Sequence, residues 1–208
     1  MELRDEQYHR FNENILITRQ MHHNIKHHFL ALQGFLAEGN FEKVKNYLNK
    51  YLDTINNYEI INLCSNPIVN MTVSHYYTLS KENQIDFTVH IQIPKELPIQ
   101  DSDISVLLGN LLENAITAVT STPDGQQIIR LNMSVSRKTL IITVDNGFDG
   151  IVSYKNGKYL STKPKHNGLG LKSITSIAEK YGGGVEFTHE DMVFHSSVML
   201  EFCNSFES

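Results

Sequence analysis

The sequence predicts an α+β protein in two parts, a helical hairpin over 1–62 followed by a sandwich of helices on a mixed sheet over 63–208. Three observations carry this. The first part keeps an unbroken heptad spacing, the second mixes strictly alternating segments with apolar helical ones, and the period changes after "CSNP" at 64–67.

In the first part the seam positions are Phe11, Ile15, Thr18, His22, Ile25, Phe29, Leu32 and Leu36, at spacings that alternate four and three. "AEGN" at 37–40 supplies a turn. Asn40 can cap a second helix, whose seam runs Phe41, Val44, Leu48, Tyr51, Ile55 and Tyr58. The first arm would span about 50 Å at 1.5 Å per residue, and two helices alone seldom enclose a core. Pairing with a second copy, as a homodimer with a four-helix bundle, would bury both seams.

The second part opens with a predicted helix over Pro67–Lys81. "IDFTVHIQI" follows, with Ile85, Phe87, Val89, Ile91 and Ile93 alternating as in a half-buried strand. A second apolar helix is expected over Ile104–Val119, then strands over Ile128–Val135 and Leu140–Val144. A glycine-containing loop, a helix over Leu169–Tyr181 and two strands around Val185 and Val198 complete the pattern. The loop over 150–166, "GIVSYKNGKYLSTKPKH", is long for a compact domain and reads as a lid or a disordered segment.

Composition narrows the function classes. The 208 residues are 40% hydrophobic and 20% charged, as in a soluble globular protein, and the formal charge of -5, with Lys and Arg dispersed, argues against nucleic acid. No window approaches the roughly 18 consecutive apolar residues of a membrane span, and "MELRDEQYHRFNEN" lacks a signal peptide's apolar centre. The expectation is a cytoplasmic chain without membrane contact of its own, any membrane sensor domain lying upstream. Cys64 and Cys203 fit packing roles in a reducing compartment.

Three short segments of the second part carry the chemistry: "GNLLENA" at 109–115, "VDNGFDG" at 144–150 and "HNGLGLKSI" at 166–174. Asn110 and Asn114, four apart on a helix, project from one face beside Glu113. Asp145 follows an apolar strand and precedes a glycine turn. Glycines at the mouth of a helix expose backbone N–H groups at its positive end, an anion site. Each segment alone also has a structural reading: a satisfied helix amide, turn chemistry, an ordinary loop entry.

Together, in this order and spacing, they resemble the N box and the two glycine boxes of the GHKL (Bergerat) ATP-binding α/β sandwich. Over about residues 19–202 the sequence is similar to sensor histidine kinases of the peptide-quorum-sensing type and the related sporulation phosphotransferase. The resemblance implies ATP as substrate with Mg²⁺, Asn110 and Asn114 holding the phosphates and the cation, and Asn114 the metal ligand. It implies that Asp145 accepts the adenine amino group, that Gly147 lets the base approach the backbone, and that Gly168 and Gly170 cradle phosphates at the end of the lid.

Residues 22–28, "HHNIKHH", place four of the ten histidines within seven residues. Kinases of the resembled type carry a pattern near R-H-D-x-x-N-H-L there, which matches with His23 as the phosphorylated residue. The heptad agrees: His22 at position a is packed in the seam, while His23 at b and His27 at f turn outward. Zinc on His23 and His27 would need a third ligand, and the nearby chain offers none. Two departures stand out. Asn24 replaces the usual acid after the histidine, with His27 where the family more often has Asn, and "DNGFDG" replaces a strict D-x-G-x-G.

The resulting expectation is the core of a two-component protein-histidine kinase. His23 is phosphorylated from ATP, Asn24 and Glu113 stand as further catalytic residues, and the phosphoryl group passes to an Asp of a response regulator receiver domain. A degenerate phosphotransferase or docking scaffold without ATP turnover is the alternative, kept alive by Asn24. A GHKL ATPase using water as nucleophile would need no exposed histidine on a paired helix.

Overall fold

The computed structural model describes residues 23, 25–52, 61–122, 126–151, 153–155, 158–160 and 169–202. The chain divides into two units, Met1–Asn57 and Tyr58–Ser208.

In the first unit, α1 covers 25–37, with His23 also helical, and α2 covers Phe41–Leu52. Gly39, at φ +67°, makes the left-handed turn between them. Asn40 Oδ1 then accepts the Lys43 N–H at 3.0 Å, an N-cap worth about 1 kcal/mol. The helices touch where the Tyr47 hydroxyl meets His28 Nδ1 at 2.9 Å and the Tyr47 ring packs edge-on against Phe35. The strip of α1 that is half-buried is therefore His28, Ala31, Leu32 and Phe35. Of the heptad seam, Ile25, Phe29 and Leu36 stay exposed, as does Phe41 at 72%. The expected seam positions from Phe11 to His22, and Ile55 and Tyr58, lie outside the described residues.

In the second unit the helices are α3 (Pro67–Glu82), α4 (Asp101–Thr120) and α5 (Leu169–Lys180). The strands are β1 (Asp86–Gln92), β2 (Ile128–Ser136), β3 (Thr139–Gly147), β4 (Ser153–Lys155), β5 (Lys158–Leu160), β6 (Gly184–Glu190) and β7 (Val193–Glu201). Five strands form one mixed sheet in the order β1-β2-β3-β7-β6, parallel between β1 and β2 and antiparallel elsewhere. The connection from β1 to its parallel neighbour contains α4, as a parallel pair requires.

Alternation decides which sheet face is covered. Ile129, Leu131 and Met133 of β2, Leu140, Ile142 and Val144 of β3, and Val198 and Leu200 of β7 share one core with Leu107, Leu108, Leu111 and Leu112 of α4. Truncating one of those leucines to Ala would cost about 2–5 kcal/mol. The opposite face carries Arg130, Asn132 and Met199, all exposed. α3 starts where Asn66 Oδ1 accepts the Val69 N–H at 2.9 Å and Pro67 occupies the first turn. Among the described residues no helix is long and apolar enough to cross a membrane.

Two segments differ from expectation. β3 runs to Gly147 rather than stopping at Val144, because its pairing with β2 and β7 continues through Asp145 and Asn146. The loop expected over 150–166 contains a small antiparallel ribbon of β4 and β5.

Candidate functional site

α4 presents its two asparagines beside the start of α5. Asn110 Nδ2 donates back to the Val106 carbonyl at 2.8 Å, which fixes the amide and turns Oδ1 away from its own helix. A Cβ built on Gly170 would lie 3.1 Å from Asn110 Oδ1 and 3.5 Å from Asn114 Nδ2. The first turn of α5 thus brings backbone N–H groups that have no partner within the helix, and a positive dipole end, to two amides that offer both oxygen and nitrogen. The absent side chain leaves the space beside the amides open. This chemistry suits phosphate oxygens on the N–H groups and a hard cation on amide oxygen, so the residues present fit a magnesium-bound polyphosphate. Gly168 lies outside the described residues.

Glu113 is exposed on α4, and its backbone carbonyl accepts the Thr117 hydroxyl at 2.6 Å. On α3, burial and then the negative charge of Glu113 push the Tyr76 hydroxyl up to about 12. That hydroxyl stands within 3.8 Å of where a Gly109 Cβ would be, so a neutral donor flanks the asparagine segment. Nothing in the local sequence marks Tyr76, because its place depends on how α3 packs on α4.

β3 places its polar residues on both faces of the sheet. Pairing through the end of the strand puts Asp145 between Arg130 of β2 and His195 of β7, on the sheet face without helices. Asp145 Oδ1 lies 2.8 Å from His195 Nδ1. Asn146, one residue on, points to the helix-covered face and is only 4% exposed. Strand alternation thus sets Asp145 and Asn146 on opposite faces of the sheet. At Gly147 the direction a Cβ would take is occupied by the Gln126 backbone carbonyl, so a side chain there would collide with the chain. Just beyond, Asp149 Oδ1 accepts the Ile151 N–H at 2.9 Å, and Phe148 N–H donates to Met192 at the β6–β7 turn.

In the first unit, His23 is exposed and its Nε2 lies 3.1 Å from Nε2 of His27, one helical turn on. Their rings meet edge-on with centroids 4.3 Å apart. Asn24 lies outside the described residues, as does His22.

These features define a class. Residues 99–201 match the GHKL domain family, and the second unit has a GHKL ATPase-like α+β sandwich fold. Among curated relatives, the sensor histidine kinase NatK of Bacillus subtilis is 19% identical over 92% of this chain and 61% of its own length. The sensor histidine kinase DcuS of Escherichia coli is 26% identical over 85% of this chain and 34% of its own length. The chain thus spans from about a third to three fifths of these relatives. Among solved structures, the catalytic domain of histidine kinase ThkA superposes with a TM-score of 0.50 at 21% identity, over 64% of this chain and 91% of that one. Acinetobacter baumannii histidine kinase AdeS also gives 0.50, at 14% identity, over 88% of this chain and 98% of that one. The structural likenesses establish the fold, and the curated relatives are sensor histidine kinases.

Proposed function

We propose that this chain is the core of a two-component sensor histidine kinase, in which His23 takes the γ-phosphoryl group of ATP and passes it to an aspartate of a response regulator. The observation that carries the reading is the approach of Gly170 to Asn110 and Asn114 within a GHKL fold. In this reading 1–62 is a dimerising phosphotransfer hairpin of the peptide-quorum-sensing type, paired as a four-helix bundle. Residues 63–208 are the catalytic domain, and the protein works in the cytoplasm, below any membrane sensor domain.

The N–H groups at the start of α5, with Gly168 and Gly170, hold the phosphates of bound ATP. Asn110 and Asn114 offer amide oxygens, Asn114 as the ligand of Mg²⁺. The cation supplies neutralisation of charge developing on the transferred phosphoryl group. Glu113 and the Tyr76 hydroxyl border this segment as acceptor and donor. His23 attacks the γ-phosphorus through a ring nitrogen lone pair while the bond to the bridging oxygen breaks and ADP leaves with that electron pair, and the ring proton passes to a neighbouring base. Asn24 orients the imidazole by accepting a hydrogen bond and cannot take up that proton.

A phosphotransfer scaffold without ATP turnover is the second reading, favoured by the amide at Asn24. Incubation with γ-labelled ATP, followed by addition of a receiver domain, separates the two. A kinase becomes labelled, with a bond that is acid-labile and alkali-stable, and loses the label to the receiver. A scaffold stays unlabelled from ATP and accepts label from a phosphorylated receiver domain.

A further inference from the structure

We propose that His23 and His27 form a chelating site for a late divalent transition-metal ion, Ni²⁺ or Cu²⁺, and that an ion bound there silences the phospho-acceptor; the silencing rests on the reading of His23 given above. Both residues are helical and exposed, four apart and so on one face of the helix. Their Nε2 atoms are 3.1 Å from each other, and the rings meet edge-on with centroids 4.3 Å apart. Two nitrogens at that separation, each about 2.0–2.1 Å from a shared ion, subtend about 95–100° at the metal. That angle suits two neighbouring positions of a square-planar or octahedral ion, as Cu²⁺ and Ni²⁺ provide, better than it suits tetrahedral zinc. Imidazole nitrogen is also a ligand that both ions favour.

In the contact between the two rings one Nε2 carries the hydrogen. Moving it to Nδ1 of the same ring frees both Nε2 lone pairs for one ion. Among the described residues no group of three or more His, Cys, Asp or Glu side chains is arranged to hold a metal, so water completes the coordination. Two protein ligands make a labile site, one that fills and empties with the supply of metal, and not a closed structural one. Mg²⁺ does not compete for it, because a hard cation takes oxygen ligands and leaves imidazole free. The kinase therefore works in Mg²⁺ with the pair open. A bound Ni²⁺ or Cu²⁺ takes the Nε2 lone pair of His23, draws charge out of the ring and ties it to His27, so the imidazole is no longer a nucleophile. The pair is a metal-sensitive brake on the phospho-acceptor.

Calorimetry on the full chain with Ni²⁺ and no nucleotide tests the site, comparing wild type with His23→Gln, His27→Ala and His90→Ala. His90 is an exposed histidine on β1 in the other unit. His23 and His27 are exposed as well, so none of the three substitutions disturbs a core. His23→Gln and His27→Ala should each weaken the tightest Ni²⁺ binding tenfold or more, and His90→Ala should stay within twofold of wild type. Ni²⁺ affinity unchanged by either substitution in the pair overturns the site. The brake is read from labelling with γ-labelled ATP in Mg²⁺ across a Ni²⁺ series, each variant scaled to its own rate without Ni²⁺. His27→Ala should need at least tenfold more Ni²⁺ than wild type for half-inhibition, and a chelator should restore the wild-type rate. Equal sensitivity of the two overturns the brake, because the inhibition then comes from Ni²⁺ on the nucleotide. A wild-type chain that takes no label overturns the kinase reading and the brake with it, while the calorimetry still decides the site.

Discussion

Gly170 stands so close to Asn110 that a single added methyl would come to 3.1 Å from the amide oxygen. That contact is tight, and the amide is already tied to the Val106 carbonyl, so the space beside it depends on the glycine. Elsewhere in a helix, alanine is preferred to glycine by about 0.5–1 kcal/mol. Here that gain is set against the tight contact, so Gly170→Ala is expected to leave the melting temperature little changed while weakening ATP about tenfold. Thermal melts and calorimetry on the same preparation check this. A parallel loss of stability and affinity would make Gly170 a packing residue only.

The His23–His27 contact gives the second prediction. His27 lies within hydrogen-bond reach of His23, and an asparagine at 24 cannot hold a proton, a contribution worth roughly 10² to 10⁴ in rate where a base supplies it. Asn24→Asp should accelerate labelling, and His27→Ala should slow it at least tenfold in the Asn24 background. In the Asn24→Asp background His27→Ala should have little effect. Single-turnover labelling at saturating ATP measures all four variants, and equal effects of His27→Ala in both backgrounds would remove His27 as the proton acceptor.

Much of the fold was legible before the structure because its elements have clean periods. "DFTVHIQ" alternates without a break, and α4 repeats apolar residues every three or four positions along one side, so β1 and α4 fell close to their expected places. The direction of Asp145 was not legible. Leu140, Ile141 and Ile142 are three apolar residues in a row, and only pairing with Ile129 and Phe194 assigns faces to the polar end of β3. The β4–β5 ribbon did carry a signal, since Asn156-Gly157 between "SYK" and "KYL" is a strong hairpin dipeptide. The Tyr76–Glu113 relation arises from helix packing, which no local pattern encodes.

At the far end of α4 from the asparagine pair, Asp103 Oδ2 accepts from Lys180 Nζ at 2.6 Å and from the Tyr181 hydroxyl at 2.7 Å. The hydrogen bond from Lys180, then that from Tyr181, holds the Asp103 carboxyl below its usual range. A depressed folded-state value means that the stabilisation is present above the unfolded carboxyl's ordinary range near 4 and is lost as pH falls through the folded value. Asp103→Asn should lower the melting temperature at pH 7, and the gap to wild type should close below about pH 4. A gap independent of pH would place the effect in packing and not in charge.

The exposed seam of α1 predicts association. Ile25, Phe29 and Leu36 remain uncovered in a single chain, and burying each such side chain contributes about 1.5–3 kcal/mol. Phe29→Asp should shift the monomer–dimer equilibrium at least a hundredfold toward monomer in sedimentation experiments. Arg130→Glu, on the open sheet face of the other unit, should leave it unchanged. A wild-type chain that sediments as a monomer at high concentration would contradict the four-helix bundle.

The central claim is that ATP bound by the GHKL unit phosphorylates His23, and the most direct test is stoichiometric labelling of wild type, His23→Gln and His22→Gln with γ-labelled ATP, with nucleotide affinity measured alongside. The account predicts an acid-labile, alkali-stable label on wild type. It predicts no label on His23→Gln at unchanged ATP affinity, and label retained on His22→Gln. Label persisting in His23→Gln, or lost only in His22→Gln, would contradict it.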